Sequence, residues 1–67
     1  MKVTFQEKRR REIGITKAEL ARRAHVQANT IGWIEAGRFK PYPVQLERIA
    51  DVLGVADPSS LLDEIEV

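Results

Sequence analysis

The feature that most constrains this chain is how densely it is punctuated. Within 67 residues, helix-start and helix-stop signals recur so closely that no element can run beyond about three turns. Thr4-Phe5-Gln6-Glu7 reads as a capping box, with the Thr4 hydroxyl accepting from the Glu7 N–H and the Glu7 carboxylate reaching back. A first helix should then run to about Ile13, where Gly14 ends it in the left-handed conformation. Thr16-Lys17-Ala18-Glu19 is a second box, opening a helix to about Ala24, with His25 at the turn. A third helix should follow from about Ala28, with Gln27 as an imperfect cap and Gly37 as the stop. Pro41 and Pro43 forbid helix just before them, so Arg38 to Pro43 reads as a loop. Pro43 suits the first turn of a fourth helix, which Gly54 ends. Asp57-Pro58 is an N-cap and first-turn proline for a fifth. No segment alternates as a strand would, so the expected class is all-α with five helices.

The helical spacing also defines a core. Leu20, Ala21 and Ala24 line one face of the second helix, and Ile31 and Ile34 one face of the third. Ile15 and Val26 sit at the joints, and Leu46, Ile49, Leu53, Val55 and Leu61 close the other side. The first helix is poorer: Phe5 and Ile13 flank Lys8-Arg9-Arg10-Arg11. The aliphatic stem of Arg9 would complete its apolar stripe. A chain this short buries only about 60% of the surface exposed when unfolded, so one small domain over 1–67 is expected, with a tail at 63–67.

These numbers exclude several classes of function. Without cysteine there is no disulfide, thiolate ligand or thiol nucleophile. One histidine cannot make a histidine metal site alone, so neither metal nor cofactor is expected. There is no glycine-rich phosphate loop and no core large enough for a catalytic cleft, so no enzyme is expected. The longest apolar run, residues 52–56, falls far short of the ~20 residues of a membrane helix. The N-terminus has no signal-peptide core, which leads to the expectation of a soluble cytoplasmic protein without membrane contact.

The net charge of +1 hides an asymmetry. Residues 1–40 hold ten basic residues against four acids, a balance of +6. Residues 41–67 hold Arg48 against six acids, a balance of −5. Such a distribution steers one end of a molecule toward a polyanion. The basic half also holds two short helices joined by a tight turn, with small residues at 21 and 24 that let the helices cross closely. That arrangement is a DNA-reading device.

At these residues the chain resembles the lambda-repressor-like (XRE-type) helix-turn-helix family. Residues 14–21 look like the start of its helix-turn-helix, and residues 30–37 like its recognition helix and closing glycine. Pro41 and residues 46–55 match its fourth helix, and the resemblance covers roughly 4–62. It implies a five-helix DNA-binding domain, usually a transcriptional repressor, often dimeric on a palindromic operator. Carried over residue by residue, it implies a buried ion pair between Arg10 and Glu35. Base contacts fall to Gln27, Ala28, Asn29, Gly32 and Trp33. Asn29 is the foremost of these, because its carboxamide can pair bidentately with adenine. Trp33 has two places open to it, on DNA or packed under the loop against Phe39 or Tyr42. Phosphate contacts fall to Thr16 and Lys17 at the second helix and to Gly37, Arg38 and Lys40 beyond the third. Arg22 and Arg23 are expected to be solvated beside Glu19.

The chain departs from the family pattern in four places. Lys17 replaces a usual glutamine, His25 replaces a usual turn glycine, the first helix lacks its usual leucines, and the reading face is poor in polar groups. Leu62, Ile65 and Val67 are either a homodimer surface or part of a solvated terminus. A second reading is a protein-interaction module on the same fold, such as an antitoxin or an adaptor whose acidic half binds a protein partner.

Overall fold

A computed structural model describes residues 1–66; Val67, one of the three residues expected at a dimer surface, lies outside the described residues. Four α-helices appear where the punctuation puts them: α1 Phe5–Ile13, α2 Lys17–Ala24, α3 Ala28–Glu35 and α4 Pro43–Leu53. Thr4 Oγ1 accepts from the Glu7 N–H at 3.2 Å and Thr16 Oγ1 from the Glu19 N–H at 3.1 Å, each satisfying one free donor of a first turn. The reciprocal half of each box is replaced by an arginine one turn further along the helix. The Glu7 carboxylate lies on Arg11, and that of Glu19 on Arg22 and Arg23.

Two expectations are corrected. The expected fifth helix is a single 3-10 turn, Pro58–Leu62. Ser60 Oγ bonds back to the Asp57 carbonyl, the Ser60 N–H joins the same oxygen, and Asp63 is already extended. Five residues closed by i→i+3 bonds have no length in which to relax to an α-helix. Secondly, the fold is not all-helical. Strand β1, Lys2–Thr4, pairs antiparallel with β2, Glu64–Glu66, in the register Lys2–Glu66, Val3–Ile65, Thr4–Glu64. The Phe5 N–H continues this ribbon to the Asp63 carbonyl at 2.8 Å.

The core is the expected one. Leu20, Ala21 and Ala24 of α2 meet Ile31 and Ile34 of α3, with Leu46, Ile49, Ala50 and Leu53 of α4 and Leu61 of the 3-10 turn. Each fully buried leucine or isoleucine contributes about 1.5–3 kcal/mol. Phe5, Ile15, Val26, Val55 and Leu62 pack at its margin, whereas Ile13 stays 40% exposed.

The inward face of α1 is polar, which explains its lack of leucines. Gln6 and Arg10 are its buried residues. Arg9 does more than cover apolar surface: its Nε donates to the Leu53 carbonyl at 3.0 Å. The guanidinium therefore caps the negative end of α4 and ties it to α1. No helix among the described residues is long and apolar enough to cross a membrane.

Candidate nucleic-acid interface

Helices α2 and α3 pack closely, joined by the three residues His25, Val26 and Gln27. His25 has φ 58° and ψ 42°, left-handed as expected for a glycine position, and it is the one non-glycine residue with positive φ among those described. Its N–H and that of Val26 close on the Arg22 and Ala21 carbonyls. This is the turn that aims α3.

The orientation of α3 is fixed from behind by the Arg10–Glu35 pair. Arg10 Nε donates to Glu35 Oε2 at 2.9 Å and Nη2 to Oε1 at 3.1 Å, a bidentate fork. Arg10 Nη1 reaches the Ile15 carbonyl at 3.0 Å, and Gln6 Nε2 adds a bond to Glu35 Oε2 at 3.2 Å. The Glu35 side chain is 2% exposed. One guanidinium thus joins α1, the entry to α2 and the end of α3.

The opposite face of α3 looks out. Gln27, Ala28, Asn29, Trp33 and Ala36 are exposed and Gly32 is half-buried, while Thr30, Ile31 and Ile34 point inward. The five expected base-reading residues therefore share one open face. Trp33 is 48% exposed, and it is Phe39 that meets Tyr42, edge to face with centroids 6.5 Å apart. Gly32 is helical, and a Cβ built on it meets nothing within 4 Å. Nothing inside the molecule requires glycine there.

The cations sort into two sets. Lys8 lies on Glu12 at 2.7 Å, Arg9 is 3.7 Å from Glu12, Arg11 is on Glu7 at 3.3 Å, Arg10 is on Glu35, and Arg22 and Arg23 both hold Glu19. The hydrogen bonds from Arg22 and then Arg23 bring the Glu19 carboxyl down to about 2. The bond from Lys8 likewise lowers that of Glu12, and Glu19 in turn raises Arg22. Among the described residues, Lys2, Lys17, Arg38, Lys40 and Arg48 have no carboxylate within ion-pair distance. Three of these, Lys17, Arg38 and Lys40, are expected phosphate residues, and all three are exposed. Arg48 lies apart, on α4 among acids.

The remaining expected phosphate residues behave differently from one another. Thr16 accepts from Glu19 and keeps its own hydroxyl proton to donate. Gly37 takes φ +73°, but its N–H is committed to the Ile34 carbonyl at 3.1 Å and that of Arg38 to Trp33 at 2.8 Å. The positive φ of Gly37 turns the chain at the end of α3, and Arg38 and Lys40 beyond it are exposed.

Lys2 was not foreseen. A groove of about 230 Å³ is lined by Lys2, Val3, Thr4, Glu35, Ala36, Gly37 and Glu64. It sets Lys2 across from the end of α3. That placement depends on the β1–β2 ribbon, which has no local signal in the sequence.

A family model described as a helix-turn-helix domain matches residues 6–62. A protein of Methanothermobacter thermautotrophicus, described as an uncharacterized HTH-type transcriptional regulator, is 41% identical over 51 residues. The match covers 76% of this chain and 74% of that protein. No solved structure matches.

Proposed function

Because the chain belongs to the helix-turn-helix domain family, we propose that it is a cytoplasmic, sequence-specific double-stranded DNA-binding regulator that lays α3 in the major groove and represses by occluding a promoter. The observation that carries this reading is the distribution of unpaired cations. Of the basic residues in the first forty, those on α1 and the last turn of α2 are held by carboxylates, while Lys17 at the start of α2 and Arg38 and Lys40 just beyond α3 are exposed without a carboxylate partner. Free cations flanking an exposed helix fit a phosphate backbone on either side of a groove, where they fix orientation without reading sequence. The free N–H groups at the start of α2 add to the attraction at Lys17. Gln27, Ala28, Asn29, Gly32 and Trp33 are the base-facing set.

Binding-site selection from random duplexes at two salt concentrations tests this. A convergent site with a steep loss of affinity in higher salt supports it. No duplex binding at either salt would sink it. If the converged site is palindromic, a homodimer follows, and the half-exposed Leu62 and Ile65 are the proposed contact. A mass that stays monomeric on DNA would reject that contact.

One observation favours the reading as a protein-interaction module. Glu47, Asp51, Asp57, Asp63, Glu64 and Glu66 are all exposed, in the C-terminal part of the sequence that contributes none of the proposed base-facing residues. An antitoxin or adaptor would use that acidic surface for a basic protein partner. Capture of such a partner by a variant lacking those charges would reject it.

A further inference from the structure

The side chains on the open face of α3 can be matched against the chemistry each base pair displays in the major groove. Guanine offers two acceptors, N7 and O6, and is read bidentately by arginine or lysine. Residues 28–35 contain neither. Cytosine offers the N4 donor, which a carboxylate accepts. The one carboxylate of α3, Glu35, is turned inward onto Arg10 and Gln6. Adenine offers an acceptor and a donor side by side, N7 and N6, the complement of a carboxamide. Gln27 and Asn29 are exposed carboxamides, and no hydrogen bond within the described residues engages either side chain. Thymine adds a C5-methyl, the one apolar group on this edge. Ala28 and the half-exposed Trp33 ring are the apolar groups that can meet it, and Gly32 leaves room beside the ring.

Residues 29 and 33 are one helical turn apart, as are 28 and 32, so these groups lie on adjacent rows of one face. The unpaired cations Lys17, Arg38 and Lys40 start from outside α3, so none of them belongs to its row of outward side chains.

Resting on the DNA-binding reading above, we propose that α3 reads an A·T-rich half-site, with Asn29 on adenine and Trp33 on a thymine methyl group. Specificity therefore comes from two carboxamides and apolar contact with methyl groups, without a guanine-reading arginine.

The test uses the full chain and the duplex pool recovered from selection. A·T pairs should dominate the half-site. Replacing the contacted adenine by 7-deazaadenine, which lacks N7, should weaken binding by about 5- to 150-fold. Replacing thymine by deoxyuridine, which lacks only the methyl, should weaken it several-fold at one or two positions. Asn29→Ala should abolish the deaza effect, and Trp33→Ala the uridine effect. Asn29 is exposed and Trp33 half-exposed, so the binding of each variant is measured well below its own melting temperature. Convergence on G·C pairs, or indifference to both analogues, overturns this inference and leaves the DNA-binding reading standing. Salt-sensitive binding without convergence overturns it too and leaves only nonspecific attraction to DNA. Absence of duplex binding overturns both.

Discussion

Gly32 gives the sharpest test of how α3 is used, because fold and interface predict opposite signs. In a helix interior, glycine is about 0.8–1.0 kcal/mol less favourable than alanine. Gly32 is the fifth of the eight residues of α3, has no positive φ, and a Cβ there meets nothing within 4 Å. Gly32→Ala should therefore recover nearly all of that propensity difference, with no clash to offset it. In a domain of this size about 1 kcal/mol moves the melting temperature by roughly 4–8 °C. Thermal denaturation followed by circular dichroism should show a rise of that order. If α3 approaches a duplex as closely as proposed, the same methyl group meets the partner. Forcing a methyl into a packed contact costs typically about 1–3 kcal/mol. Affinity should then fall by about 5- to 150-fold, measured by fluorescence anisotropy on the selected site. A variant that is less stable would refute the reading of Gly32 as free of internal constraint. A variant that is more stable and binds as well as wild type would show that nothing approaches α3 closely there.

Four further outcomes are expected. Arg10→Ala should cost about 3–5 kcal/mol, since it leaves the Glu35 carboxylate buried with only Gln6, and an unchanged denaturant midpoint would contradict the positioning role of the bridge. His25→Gly should raise stability by up to about 1–2 kcal/mol by relieving the left-handed backbone, and a clear loss in the same measurement would argue that the imidazole itself contributes. Replacing Lys17, Arg38 and Lys40 by glutamine should lower the salt slope of duplex binding by about 2.7, whereas replacing Arg22 and Arg23 should leave it nearly unchanged; equal effects would dissolve the division into committed and free cations. The Glu19 carboxyl should titrate near 2 by NMR, and since its folded value is depressed, its stabilising effect is complete above the ordinary carboxylate range and is lost as pH falls toward 2; an ordinary titration would show that Arg22 and Arg23 do not hold it in solution.

Much of this fold is legible because its signals are local. Thr4, Thr16 and Asp57 accept N–H groups two or three residues away, and Gly14, His25 and Gly54 turn the chain by their own φ. A window of a few residues contains both signal and effect. The open face of α3 follows in the same way, since the inward set Ile31 and Ile34 fixes which side of the helix is left over. What could not be read was non-local or ambiguous in chemistry. Lys2-Val3-Thr4 and Glu64-Ile65-Glu66 each contain one apolar residue between polar ones, too short to register as alternation, and each is a strand only because the other exists. Arg9 sits in a run of cations that looks like a solvated face, and its role depends on where the end of α4 comes to rest. The 3-10 turn was lost to its signals, which specify a start at Asp57 without setting the hydrogen-bond period that follows. The committed and free cations also look alike in sequence, apart from the i,i+3 and i,i+4 partners of Glu7, Glu12 and Glu19.

The ribbon that joins Lys2 to Glu66 carries a consequence for the order in which the molecule assembles. The α2–α3 hairpin closes on itself across a three-residue turn, whereas the ribbon closes a loop that spans nearly the whole chain. Each doubling of loop length adds about 0.6 kcal/mol of entropic cost, so roughly four doublings separate the two closures by about 2.5 kcal/mol. On this count the ribbon is expected to form on a helical body that already exists. When it opens, it carries Lys2 away from Gly37 and frees the Phe5 N–H from Asp63, while the Arg10–Glu35 bridge still holds α3 in place. Helix α3 can thus keep its place when the strand pair that borders its end has opened.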